Sequence, residues 1–84
     1  MIIVSQNKNI AINMEKVLSI YRNKGQISAE YPFEDAYVHL AKYESEERAE
    51  EVFEELMERY ENWENMKFGQ PNGICKPIYY MPKD

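Results

Sequence analysis

The sequence predicts an α+β domain: an antiparallel β-sheet of about five or six short strands with one amphipathic helix packed on one face. Three observations carry this. From Tyr43 to Trp63, apolar residues recur at steps of three and four, the spacing that lines up one stripe of a helix. Before that stretch, short β-branched or alternating segments are separated by polar and glycine-containing turns. After it, Ile78-Tyr79-Tyr80-Met81 is an apolar extended segment between Pro77 and Pro82.

Ile2 to Val4 is β-branched and reads as a first strand, Ser5 to Lys8 as a turn and Ile10 to Ile12 as a second strand, forming a hairpin. Asn13 to Lys16 is a connection. Val17 to Arg22 alternates, with Leu18 and Ile20 on one face. Asn23-Lys24-Gly25-Gln26 is a turn in which Gly25 can take a positive φ. Ile27, Ala29 and Tyr31 form the answering strand, which Pro32 stops, and Phe33-Glu34-Asp35 turns the chain. Ala36 to Lys42 follows, with Val38 and Leu40 facing the core.

Ser45 is the expected N-cap of the helix, and Glu46 and Glu47 suit the positive end of its dipole. Position 48 is Arg, so a reciprocal capping box is absent. Ala49, Val52, Phe53, Leu56, Met57, Tyr60 and Trp63 form the stripe. Glu55 and Arg59 are spaced for an i,i+4 pair, while several like-charge glutamate pairs oppose the helix. Packing on the sheet, rather than propensity, is therefore expected to hold it. Asn62, Asn65 and Gly69 place its end near 62–67, and Met66 to Pro77 reads as a loop.

Eighty-four residues make one domain, 1–84. A chain of this size buries only about 60% of the surface its unfolded form exposes, which favours self-association. The net charge is −5. Residues 44–64 hold ten glutamates against Arg48 and Arg59, a local −8 that leaves +3 for the rest. This acidity argues against direct nucleic-acid binding. No apolar run approaches the ~20 residues of a membrane span. Cys75 is the only cysteine, and with no signal sequence in view the expected location is cytoplasmic.

No catalytic constellation stands out. Nothing in the spacing brings Cys75 to His39, the one nucleophile–base combination sought. A lone His and Cys cannot close a zinc site. The carboxylates spread along one helix instead of facing each other across a cleft. Gly69-Gln70-Pro71-Asn72-Gly73 lacks the lysine and following helix of a phosphate loop. No enzyme activity, metal or cofactor is expected.

Three segments bear on origin: Ile3-Val4-Ser5-Gln6 with Ile12-Asn13-Met14, Tyr43-Glu44-Ser45-Glu46-Glu47-Arg48-Ala49-Glu50-Glu51-Val52-Phe53, and Tyr79-Tyr80-Met81-Pro82. They resemble a group of small uncharacterised proteins of Gram-positive bacteria and their phages or mobile elements. The resemblance implies a short accessory product, with no catalytic residues to carry over. By analogy with other small phage proteins, it extends to anti-defence roles, by blocking a host effector or sequestering a nucleotide signal.

Two surfaces remain as candidates. Tyr21, Arg22, Tyr31, Tyr37, His39, Tyr79 and Tyr80, with Lys42 nearby, form an aromatic and cationic set suited to a protein anchor or a small nucleotide. On the sheet face away from the helix, Tyr21, Tyr37 and His39 are expected together, with Tyr43 if the alternation continues. Glu47, Glu50, Glu51, Glu54 and Glu58 form an acidic face that can imitate a phosphate backbone toward a host nucleic-acid enzyme. The leading expectation is a non-enzymatic binding module that forms a homo-oligomer. The alternatives are an inhibitor of a host protein and a nucleotide sponge.

Overall fold

The computed structural model describes residues 1–33, 36–69 and 78–84, and within the helix it describes side chains as far as 65. The elements are β1 (Ile2–Val4), β2 (Ala11–Asn13), a 3-10 turn (Met14–Lys16), β3 (Ser19–Asn23), β4 (Gln26–Glu30), β5 (Tyr37–Lys42), α1 (Glu46–Gly69) and β6 (Ile78–Tyr80). The class is α+β, as the sequence predicts, with six strands and one α-helix among the described residues. The strands divide into two three-stranded sheets instead of joining one. One is the antiparallel sheet β3-β4-β5. In the other, β1 pairs antiparallel with β2 and parallel with β6.

Ser45 caps α1 as expected. Its Oγ accepts the Arg48 N–H at 3.1 Å and its carbonyl accepts the Ala49 N–H at 3.2 Å. The stripe is real: Ala49, Val52, Leu56 and Trp63 are buried, while Phe53, Met57 and Tyr60 flank them half-buried. Full burial of a Val or Leu side chain contributes roughly 1.5–3 kcal/mol, so the stripe outweighs like-charge pairs costing a few tenths each. The helix packs on β3 and β4. It runs past the expected end at 62–67 to Gly69, because Asn costs a helix only about 0.7 kcal/mol against Ala. Residues 66–69, expected in a loop, are thus helical; the remainder of that loop, with Cys75, lies outside the described residues, as does the turn at Glu34-Asp35.

β5 carries one extra residue. Ile27 pairs with Ala41, but Ser28 pairs with His39, so Leu40 bulges out of the ladder. Past this point the alternation reverses. Leu40 and Ala41 are both buried, Val38 packs at the edge of the core, and Tyr43 turns inward. Tyr43 therefore leaves the outer face expected for it and donates its hydroxyl to the Pro82 carbonyl at 2.7 Å.

The bulge also joins the sheets. The Gln6 N–H donates to the Leu40 carbonyl at 2.8 Å. The Gln6 Oε1 accepts the Lys42 N–H at 2.9 Å, and its Nε2 donates to the Lys83 carbonyl at 2.7 Å. The tail is held further by Met81 N–H to the Val4 carbonyl at 3.0 Å and by Arg48 Nε to the Asp84 carbonyl at 2.9 Å. Ile12, Ile3 and Tyr79 stand in one row across β2, β1 and β6, and all three enter the same core as Ile27 and Leu56.

Several local expectations change. β2 starts at Ala11, which leaves Ile10 exposed in the turn, where its N–H reaches Ser5 Oγ at 3.1 Å. β3 starts at Ser19, so Leu18 stands outside the alternation and is 64% exposed instead of facing the core. Glu55 and Arg59 do not clasp each other; they clasp Tyr79. The Tyr79 hydroxyl donates to Glu55 at 2.8 Å, and the Arg59 guanidinium lies over the ring at 5.4 Å.

The turn between β3 and β4 uses Lys24, at φ 56°, as its left-handed residue. Gly25 is needed for another reason. Its carbonyl accepts the Tyr43 N–H at 2.8 Å, and a Cβ there would lie 2.5 Å from the Tyr43 carbonyl oxygen. Gly25→Ala is expected to lower stability by about 1–3 kcal/mol, the usual range for forced overpacking. Lys24→Gly should be neutral or stabilising, since it relieves a left-handed side-chain clash of roughly 1 kcal/mol. Urea unfolding midpoints check both; equal effects would contradict this division of labour.

Candidate functional site

The β3-β4-β5 sheet sorts its side chains by register. Ser19, Glu30 and Tyr37 form one row of the face away from α1, and Tyr21, Ser28 and His39 form the next. Gln26 and Lys42 continue it. The expected grouping of Tyr21, Tyr37 and His39 is therefore present. Tyr37 and His39 meet edge to face at 5.4 Å between ring centroids. His39 Nδ1 and Ser28 Oγ are 3.0 Å apart. Tyr37 is 58% exposed and Tyr21 41%, while Ser28 is buried beneath them.

Arg22 is on the other side of β3. It lies in the row of Ile27 and Ala41, facing α1. Its Nη2 is 3.9 Å from Glu50 Oε2, and its Nη1 donates to the Lys24 carbonyl at 3.0 Å. The aromatic and cationic residues expected to make one surface are thus separated by the strand, and only Lys42 joins the tyrosines. Tyr79 is removed as well: it is 2% exposed and interior. Tyr31 is half-buried against the core and stacks on Phe33 at 6.2 Å. Tyr80 is exposed on β6, the edge strand of the other sheet.

The glutamates divide into two stripes. Glu51, with Arg48, Glu55 and Arg59, faces β6 and the tail; Glu51 pairs with Arg48 at 3.2 Å. Glu50, Glu54 and Glu58, with Glu61 one turn on, line a groove between α1 and β3 of about 840 Å³. Glu47 is exposed one turn before that stripe. Ile20, Phe53 and Met57 supply its apolar lining, and Tyr21 and Arg22 of β3 border it, Arg22 beside Glu50, so that Glu54, Glu58 and Glu61 carry its negative charge. Sequence periodicity alone gave Phe53 and Met57 to the core and did not single out Ile20 or Glu61. Their signal is position: each flanks the fully buried stripe or extends the glutamate row by three residues.

The groove offers anionic and apolar contact, suited to a ligand that is cationic and partly apolar. Among the described residues, no group of three or more His, Cys, Asp and Glu could hold a metal ion, and no helix is long and apolar enough to cross a membrane. On the other side of α1, burial pushes the Tyr43 phenol up to about 12, opposed by the Arg48 guanidinium and reinforced by the Glu55 carboxylate. Burial also raises Tyr79, helped by its hydrogen bond to Glu55. These tyrosines are structural.

Comparison with protein-family models, with curated proteins and with solved structures found no match to this chain.

The raised phenols make stability fall in alkali. An unfolded tyrosine ionises near pH ~10, whereas folded Tyr43 holds its proton until about 12. The contribution is complete below the unfolded value and is lost as pH rises through the folded one. Tyr43→Phe should cost about 1 kcal/mol at neutral pH by unpairing the Pro82 carbonyl. It should also make the alkaline decline shallower than in the wild type. Urea midpoints measured across alkaline pH check this, and an unchanged slope would place the titration elsewhere.

Proposed function

We propose that the protein is a non-enzymatic binding module that self-associates through the tyrosine face of the β3-β4-β5 sheet. One observation carries the reading. Tyr21 and Tyr37 stand exposed beside His39 on a sheet face that no other described element covers. Aromatic rings of this kind supply much of the contact area in protein interfaces. The face is also suited to its own copy. A twofold axis running across the strands sets Glu30 of one copy over the Gln26–Lys42 row of the other, matching acid with base. The helix side would set the glutamate row of one copy against that of the other.

The setting we propose is that of a cytoplasmic accessory protein of a phage or mobile element, the origin implied by the resemblance of its sequence segments. A second reading has its own support. Glu50, Glu54, Glu58 and Glu61 form a continuous anionic wall, which suits capture of a cationic surface on a host protein, including one that handles nucleic acid. Sequestration of a nucleotide loses support, because Arg22 and Tyr79 are not on the tyrosine face.

Size-exclusion chromatography with light scattering tests self-association. The wild type should be a dimer or larger at micromolar concentration. The double substitution Tyr21→Glu with Tyr37→Glu should give a monomer with an unchanged circular-dichroism spectrum. A wild-type monomer, or a folded double variant that still associates, contradicts the reading.

A further inference from the structure

We propose that the free edge of β3 and the groove beside it dock a cationic, extended segment of another protein, which adds as a fourth strand to the β3-β4-β5 sheet. The inference rests on reading the protein as a binding module; it does not depend on self-association.

The backbone makes the first part of the site. Among the described residues β3 is an edge strand, paired with β4 alone, in regular register and without proline. Asn23 and Gln26 close a two-residue connection, so the residues bonded to β4 are Asn23, Tyr21 and Ser19. Ile20 and Arg22 therefore direct their N–H and C=O groups outward, as a template for a further strand.

Side chains make the second part. α1 tracks back along β3: Ser45 lies beside Gly25, Glu50 beside Arg22, and Phe53 and Met57 share the groove with Ile20. From Glu50 to Glu61 the helix rises about 16 Å at ~1.5 Å per residue. Five residues of strand span about 17 Å at ~3.4 Å each. Side chains on one face of an added strand repeat every ~6.8 Å. Glutamates four apart on the helix repeat every ~6 Å. A lysine or arginine at every second position thus meets one glutamate after another, with its stem on the apolar floor.

The same charges select the occupant. A second copy pairing its own β3 here would bring its glutamate row up against the first, and like charges would face each other across the axis. Nucleic acid would be repelled by the wall. A heterologous cationic strand is accepted on both counts, by backbone pairing and by charge.

The test uses a capped peptide alternating lysine with valine or threonine, titrated by calorimetry into the full-length protein. Binding should weaken as salt rises. It should fall at least about tenfold in the double variant Glu54→Lys with Glu58→Lys, as expected when charge-assisted contacts are lost. A peptide of identical charge, N-methylated at alternate backbone positions, should not bind, because it cannot extend the sheet. Amide exchange should show Ile20 and Arg22 becoming protected only with the peptide present. The single variant Tyr37→Glu, changed on β5 away from the groove, should bind the peptide like the wild type, which separates this result from the oligomer test. Three results would overturn the proposal: no binding, equal binding of the N-methylated peptide, or protection of Ile20 and Arg22 in the free protein with a doubled mass.

Discussion

One extra residue in β5 sets the arrangement of the whole molecule. Without it, Tyr37, His39, Ala41 and Tyr43 would all point to the same side of the sheet. With Leu40 displaced from the ladder, Tyr37 and His39 remain outside while Ala41 and Tyr43 turn in. The bulge also frees the Leu40 carbonyl from its own sheet and offers it to Gln6. A single backbone irregularity thus keeps two aromatic residues available for contact, supplies one to the core and welds two small sheets into one unit. Bulges commonly re-aim side chains in this way.

The weld matters because neither sheet is self-sufficient. A sheet of three short strands needs a packed face to be stable. The row Ile12, Ile3 and Tyr79 finds that face only where α1 and β4 already meet. Gln6 holds the two halves in register with its amide N–H and its side-chain Oε1, while its Nε2 secures the tail that follows β6. α1 then serves three neighbours at once. Its apolar stripe fills the core, its Arg48–Glu51–Glu55–Arg59 side holds Tyr79 and the tail, and its remaining glutamates border β3. The acidity that looks uniform along the sequence is therefore divided between a structural role and an open groove.

What was legible in the sequence was local or periodic. The helix, its Ser45 cap, its buried stripe, the two hairpins and the isolated terminal strand all follow from spacing, turn residues and proline positions. The joint placement of Tyr21, Tyr37 and His39 was legible too, because the alternation is regular up to His39. The bulge was not. Leu40 and Ala41 are both apolar, so the slip is silent at these two residues; its one trace is Lys42, which continued alternation would point at the core and which the bulge leaves outside. Gly25 shows a second limit: its residue type marks a special position, but only the fold reveals that Tyr43 presses on it. The split into two sheets, the parallel pairing of β6 with β1, and the pairing of Tyr79 with Glu55 depend on contacts far apart in the chain. The site was half legible for the same reason. Tyrosines and glutamates were evident as sets, but whether Arg22 joined the tyrosines or the glutamates depended on which side of β3 it took.

The most direct measurement is native-state hydrogen exchange of the Gln6 amide, followed by NMR as denaturant is varied. If the bulged Leu40 carbonyl joins the sheets, this amide exchanges only when the whole molecule opens, with the same free energy as the Ile27 amide in the central strand. Exchange of Gln6 through a smaller local opening, while Ile27 stays protected, would show two sheets that merely touch and would contradict the account.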